Sequence, residues 1–488
     1  MKPIIAKYNR DKLRDKIYAS YLGKNIGGTI GAPYEGTKEF LDVKGFNSPP
    51  GKPLPNDDLD LQLVWLLAME KEGPFHFNSR VLGEYWLTAI SPFWNEYGRG
   101  KSNLLCGIPA PLSGELFNEK WNSSNGAWIR SEIWASLAPG YPSIAREYAF
   151  ANASVDHGLG EGTYAEFFTA SLQSSAYFMS DIRKIVEEGL KSIPQNCRVY
   201  KAVKLVLDEY DKGTPYRLVR DMLVKQSEDI GWFQAPANLG YVAIGLLYGE
   251  GDFKKSVLYA TNCGDDTDCT AGTVGAILGI INGTNAIPND WKQYVGDGIE
   301  FICVNTQYRE FMPKTCSELT DRIMELIPIV LYAHNIKVEW TDGDDELPNF
   351  VQGVVNDRPF NANDIGKRSP WCFELPHSPY VDGYGEYDRK PVVKPGEKIK
   401  IRLAFTHATL DTFNIEIKPV LPEGWSIDCT KIINIAHELY YPLNYKEPTV
   451  WEGEVTVGEK TDAINHIYVI AKPVLHGQPV IADFVILS

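Results

Sequence analysis

Cys263-Gly264-Asp265-Asp266-Thr267-Asp268-Cys269-Thr270 runs straight into Ala271-Gly272-Thr273-Val274-Gly275-Ala276-Ile277-Leu278-Gly279, so three carboxylates stand together at the start of a strongly apolar helix. One acid there would be a helix cap: Asp266 could satisfy orphan backbone N–H groups, and the helix dipole favours negative charge at that end. Three acids in four residues exceed what capping needs, and like charges at the mouth of a dry helix repel unless a cation neutralises them. The small residues Gly272, Gly275, Ala276 and Gly279 would let a second helix approach closely.

The same arrangement occurs earlier. Pro55-Asn56-Asp57-Asp58-Leu59-Asp60 precedes Leu61-Gln62-Leu63-Val64-Trp65-Leu66-Leu67, which is apolar on most faces and therefore reads as a central helix. Oxygen-rich ligand sets select hard ions such as Mg²⁺, Mn²⁺ or Ca²⁺ over zinc. If the two helix starts meet, four or more carboxylates could hold a pair of cations.

Outward from these clusters, other stretches fall into a recognisable order. Gly23-Lys24-Asn25-Ile26-Gly27-Gly28-Thr29-Ile30-Gly31-Ala32-Pro33-Tyr34-Glu35 is a glycine-rich helix ending in an acid. Asn125-Gly126-Ala127-Trp128-Ile129-Arg130, Ala153-Ser154-Val155-Asp156-His157 and Ala286-Ile287-Pro288 follow. Together with Asn56-Asp57-Asp58 and Gly264-Asp265-Asp266-Thr267-Asp268-Cys269, they resemble the ordered motifs of the ADP-ribosylglycohydrolase family, of the dinitrogenase reductase-activating glycohydrolase kind. The resemblance extends from about residue 13 to residue 292.

That resemblance implies an all-α domain with two Mg²⁺ ions between its helices, Mn²⁺ being the alternate ion. It implies hydrolysis of a glycosidic bond at the C1″ carbon of an ADP-ribosyl group, carried by an ADP-ribosylated protein or a small ribosyl compound. By position, Asn56, Asp57, Asp58, Asp266, Asp268 and Cys269 would surround the metal. Glu35 would be the catalytic acid or base near the ribose, and Asn125, Gly126, His157 and Gly158 would line the substrate cleft. Three positions depart from the family pattern. Asn56 and Cys269 stand where it has threonine, and Gly28 stands where many members have aspartate. A thiol is a poor partner for Mg²⁺, so Thr267, Thr270 or a water could fill that place. The rival readings are a nucleoside or other glycoside hydrolase of the same fold, a non-catalytic ligand-binding member, and a carbohydrate-binding role led by the C-terminal part.

Two further glycine-rich stretches bear on phosphate binding. His157-Gly158-Leu159-Gly160-Glu161-Gly162 precedes a helix and could present backbone N–H groups to a phosphate, or be an entry loop without a ligand. Gly98-Arg99-Gly100-Lys101-Ser102 mimics the end of a P-loop, but Asn95 occupies the first glycine position and no strand precedes it.

The chain has 488 residues, too many for one ordinary core. Residues from about 10 to 340 read as helical, with no repeated strand–helix alternation. Residues 342–384 are rich in Gly, Pro, Asn and Asp and read as an ordered connection. Alternating runs then begin at Lys398-Ile399-Lys400-Ile401, Phe413-Asn414-Ile415-Glu416-Ile417 and Trp451-Glu452-Gly453-Glu454-Val455, with more continuous apolar runs at 467–471 and 480–487. The expected organisation is thus an all-α domain over 1–341, a connection over 342–384 and an all-β, immunoglobulin-like sandwich over 385–488.

A net charge of −15, with 63 acidic against 48 basic residues, opposes nucleic-acid binding, which needs Lys and Arg against phosphates. The eight cysteines include no Cys-x-x-Cys pair and read as reduced thiols. No long apolar stretch suits a membrane span, and no leader core fits the start. The expected location is cytoplasmic. His377, His407, His437, His466 and His476 show no ligand spacing and read as surface or strand residues.

Overall fold

The computed structural model describes residues 3–348, 350–351, 354–355, 369–376, 378, 381–408, 413–435, 448–474 and 477–488. Helices run from Arg10–Gly31 to Cys316–Ala333, and an all-β region of antiparallel sheets follows. A short parallel pair joins the two ends of the helical part: Ile4–Asn9 lies against Ile336–Thr341, in register from Ile4↔Ile336 to Asn9↔Thr341. None of the described helices is long and apolar enough to cross a membrane.

Helix Asp57–Glu72 is the central one its composition suggests. Asn56 caps it from an extended backbone, its Oδ1 accepting the Asp58 N–H, and Gly73 ends it at φ +71°. From Asp58 to Met69 every residue is buried, as an all-round apolar helix demands. Such a cap stabilises a helix by roughly 1 kcal/mol; burial of the apolar sides supplies most of the rest.

The small-residue stripe does bring a second helix close. Arg10–Gly31 packs antiparallel on Thr267–Asn282, glycine against backbone. A Cβ on Gly27 would lie 2.1 Å from the Ala271 carbonyl oxygen, and one on Gly275 would lie 2.2 Å from that of Gly23. Any side chain there collides with main chain, which cannot swing aside. The crossing sets the C-terminal end of one helix beside the N-terminal end of the other, and so carries Glu35 to Asp266 and Asp268.

Among the described residues, two larger sheets of the β region enclose one core. The five-stranded sheet has the order Cys372–Glu374, Val381–Tyr387, Lys398–Ala408, Thr449–Thr456, Ser426–Cys429; the four-stranded sheet has Ile432–Ile435, Phe413–Val420, Ile464–Pro473, Val480–Leu487. Ile399, Ile401, Leu403 and Trp451 from the first meet Ile417, Ile467, Val469 and Phe484 from the second. The alternating runs of the sequence supply these strands. Cys372–Glu374 and Val381–Tyr387 arise within or across the end of the stretch read as connection. They are short or glycine-bearing, and their Gly- and Pro-rich surroundings mask them. His466 faces Asp483 at 3.0 Å on neighbouring strands. His377, His437 and His476, and the side chain of His407, lie outside the described residues.

The two parts share apolar surface. Ile108, Leu112 and Leu116 of the helical part are buried in the β core, and the Glu374 N–H donates to the Ala110 carbonyl at 2.9 Å. Each such aliphatic side chain contributes about 1.5–3 kcal/mol by leaving water.

The stretch resembling a P-loop end lies inside helix Asn95–Leu105, where Lys101 Nζ donates to the carbonyls of Ile90, Ser91 and Pro92. A cavity of about 230 Å³ sits at the far end of the first helix, lined by Lys12, Asp15, Lys16 and Tyr177 among others. Its charged groups are already used, Asp15 by Thr284 and Lys16 by the Tyr177 carbonyl.

Candidate metal centre

The two helix starts converge. Oxygen or sulfur atoms of Asp58, Asp268 and Cys269 lie within 4.8 Å of one another, and so do those of Glu35, Asp266 and Asp268. Asp268 belongs to both sets. The cluster is graded in depth: Asp58 is fully buried, Asp266 and Asp268 are nearly so, Asp57 is half-buried, and Glu35 stands exposed at the mouth.

Each carboxylate is oriented by an identifiable neighbour. Tyr97 Oη donates to Asp57 Oδ2 at 2.8 Å. Asn125 Nδ2 donates to Asp266 Oδ2 at 2.6 Å, while its Oδ1 accepts from the Trp128 indole. Asn56 Nδ2 donates to Asp268 Oδ2 at 3.2 Å, its oxygen being used in the cap. Asp268 Oδ1 is buried without a hydrogen-bond partner. A buried anionic oxygen left bare is costly, and a cation is the natural partner for it.

Electrostatics point the same way. Burial and then the Asp58 charge raise Asp57 to about 6. Burial and neighbouring acids push Asp266 and Asp268 well above the usual carboxylate range, and Glu35 is raised by desolvation and by Asp57 and Asp58. Burial likewise keeps Cys269 a thiol, and its Sγ donates to Asp58 Oδ1 at 3.1 Å. Crowded buried acids of this kind take up protons when no cation is present and release them when one binds.

Not every acid of the two clusters faces the site. Asp60 turns to the backbone N–H groups of Ile302 and Cys303, at 2.6 and 2.5 Å. Asp265 accepts from the Phe233 N–H and from Asn238 Nδ2, both at 2.9 Å. Asp265 and Phe233 both have left-handed backbones, at φ +67° and +60°. Such conformations cost about 1 kcal/mol or more each, and the bonds to the Asp265 carboxylate hold them. The result is a sharp turn that aims Asp266 inward.

The residues expected to line the cleft divide into two groups. Asn125 touches the acids directly, and Gly126 follows it, packed so tightly that a Cβ would meet Glu96 Oε1 at 2.2 Å. His157 and Gly158 are buried behind them. His157 Nε2 lies 3.1 Å from Ser124 Oγ, and its Nδ1 lies 2.9 Å from Asp156, which forms a bidentate pair with Arg130.

Sequence reasoning did not single out Tyr97 or Lys24. Lys24 Nζ sits 2.9 Å from Asp58 Oδ2 and 3.3 Å from Glu132 Oε1, completely enclosed. Burial works against its charge, yet Asp58 and Glu132 more than compensate and its pKa is raised. A lone lysine among Gly23, Asn25, Ile26 and Gly27, in a helix that must be buried, was the available signal.

Glu115 also escaped the sequence reading. Its Oε1 accepts the Leu159 N–H at 2.7 Å, and the Gly162 N–H goes to the Asn122 carbonyl, so the 157–162 loop already has a carboxyl group seated on it. Burial raises Glu115 to about 7. The folded chain therefore holds a proton here that the unfolded chain, with an ordinary glutamate near 4.3, gives up. The stabilisation is complete below that ordinary value and is lost as pH rises to about 7, on the order of 3 kcal/mol. Glu115→Gln keeps an acceptor for Leu159 and removes the titration. Its melting temperature, measured against wild type, should climb by a few degrees between pH 5 and pH 8; parallel curves would show that Glu115 is not held protonated.

The family model described as ADP-ribosylglycohydrolase matches residues 9–327. Among solved structures, one titled "ADP-ribosylglycohydrolase-related protein complex" is similar at 20% identity, covering 66% of this chain and 99% of that one with a TM-score of 0.43. No curated protein matches.

Proposed function

Because the chain belongs to the ADP-ribosylglycohydrolase family, we propose that it is a cation-dependent hydrolase cleaving the glycosidic bond at C1″ of an ADP-ribosyl or related ribosyl group. The observation that carries this reading is the bare, buried Asp268 Oδ1 between two groups of acidic side chains. Glu35, Asp266 and Asp268 offer three carboxylate oxygens within 4.8 Å of one another, a donor set suited to Mg²⁺ or Mn²⁺. A divalent cation held there supplies the charge that fixes ribose hydroxyls and acidifies a neighbouring water.

The remaining chemistry belongs to the chain. Glu35, exposed at the mouth and with its proton affinity raised, takes a proton from the attacking water. The water oxygen bonds to C1″ as the bond to the leaving group breaks. The electron pair departs with that group, which takes up the proton that Glu35 received and so restores the carboxylate. Asp57 and Glu35 face the positive charge that develops on the ribosyl ring. Asn125 and Asn56 keep Asp266 and Asp268 aimed at the site. Gly126 lets the segment pack closely on Glu96 and Tyr97, and His157, through Ser124, with Gly158 behind it, holds the 124–126 segment in place. The eight free thiols suit a reducing, cytoplasmic setting.

The test is hydrolysis by the full-length protein after chelation and after restoring Mg²⁺ or Mn²⁺. ADP-ribosyl-arginine, ADP-ribosyl-serine and ADP-ribose 1″-phosphate come first, then simple nucleosides. Cation-dependent turnover of one of the first three is expected. Turnover of nucleosides alone transfers the reaction to a nucleoside hydrolase, and no turnover of any substrate with or without metal sinks the proposal.

A further inference from the structure

We propose that the Lys24 ammonium replaces the inner of two cations, so that this chain holds a single divalent ion between Glu35, Asp266 and Asp268. The inference rests on the cation reading above and revises the number of ions that the family resemblance implies.

The two donor sets share Asp268 but differ in kind. The outer set consists of carboxylates alone, whereas the inner set includes a thiol. The inner set, Asp58, Asp268 and Cys269, already has a positive charge paired with it at Asp58. One Asp58 oxygen has the Lys24 ammonium at 2.9 Å, and the other accepts from the Cys269 thiol at 3.1 Å. The third inner donor is that same thiol, a soft atom which hard cations do not favour.

Lys24 is not a stray surface charge that has folded in. It leaves the first helix at its crossing with Thr267–Asn282, where Gly272 makes room: a Cβ there would lie 3.2 Å from Lys24 Cδ. Its Nζ also donates to the Ile129 carbonyl at 2.6 Å and to Thr273 Oγ1 at 3.2 Å. Glu132 is satisfied in turn by Gln62 at 2.8 Å and Gln173 at 3.0 Å. Lys24, Asp58 and Glu132 thus form a buried network in which one ammonium already faces both carboxylates. Paired catalytic ions usually sit about 3.5–4 Å apart. An inner ion bridged through Asp268 to the outer one would have to compete with an ammonium already in contact with its ligand.

Mn²⁺ binding to the full-length protein decides the count. Calorimetric titration should give one Mn²⁺ per chain, and the paramagnetic resonance spectrum of the saturated protein should be that of an isolated ion. Two ions per chain with an exchange-coupled spectrum would overturn the inference while leaving the cation reading intact. No bound ion would sink both. Lys24→Met, which keeps the length of the side chain and removes its charge, should raise the stoichiometry from one to two. A folded variant that stays at one would show that the ammonium is not what excludes the second ion. If the variant does not fold, the wild-type stoichiometry and spectrum decide.

Discussion

Glu35→Gln is expected to lower turnover by about 10²-fold or more while leaving cation binding largely in place. Glu35 is the exposed member of the outer set, whereas Asp266 and Asp268 are nearly buried. A glutamine keeps an oxygen that can face the cation, so affinity should fall by less than about tenfold, or 1.4 kcal/mol. What it cannot do is accept a proton from water or stabilise developing positive charge with a full negative one. Turnover should therefore fall far more than cation affinity. Equal activity of variant and wild type on every substrate would remove Glu35 from the chemistry and leave it a wall of the site.

Asp268→Asn should abolish cation binding and turnover together, because Asp268 is common to both donor sets. Its Oδ2 accepts from Asn56, so a substituted amide would keep its oxygen there and turn its NH₂ toward the cation. The effect on stability has two opposite parts. Without metal, the variant should melt higher than wild type, since it removes a carboxylate whose charge is opposed by burial and by the neighbouring Asp266, Asp58 and Glu35. With metal, wild type should gain by mass action, about 2.7 kcal/mol at a hundredfold excess over Kd, and the variant should gain nothing. A variant whose melting temperature still rises with Mg²⁺ would place the cation elsewhere.

What could be read from the sequence was what is local. Acids at the start of an apolar helix announce themselves within ten residues, and the glycine stripe after Asp268 foretold the close approach that Gly23, Gly27 and Gly275 make. Alternating strands such as Lys398–Ala408 and Thr449–Thr456 were legible for the same reason. Roles that depend on distant partners were not. Asp60 and Asp265 have the same composition and spacing as their neighbours, yet serve backbone groups at 302–303 and at 233. The carboxyl group filling the 157–162 loop comes from Glu115, more than forty residues away. The Lys24 network draws on three separate helices and has no signature beyond a charge in an improbable place. The boundary we propose between the helical part and the β body, within 342–384, is blurred by the short strand Cys372–Glu374, which pairs with the sheet and hydrogen-bonds back to Ala110.

The parallel pair Ile4–Asn9 and Ile336–Thr341 has a mechanical consequence. A pull on the chain before Ile4, opposed at the segment after Thr341, draws the two strands in opposite directions along their length. Evenly spaced bonds of a parallel ladder then bear the load together, unlike the one-by-one opening of a peeled hairpin. Traction between the N-terminal segment and the β body therefore meets a latch that slides all at once or not at all. Until that latch slips, a load applied at these two segments passes through the strand pair rather than along the chain from Arg10 to Ala333.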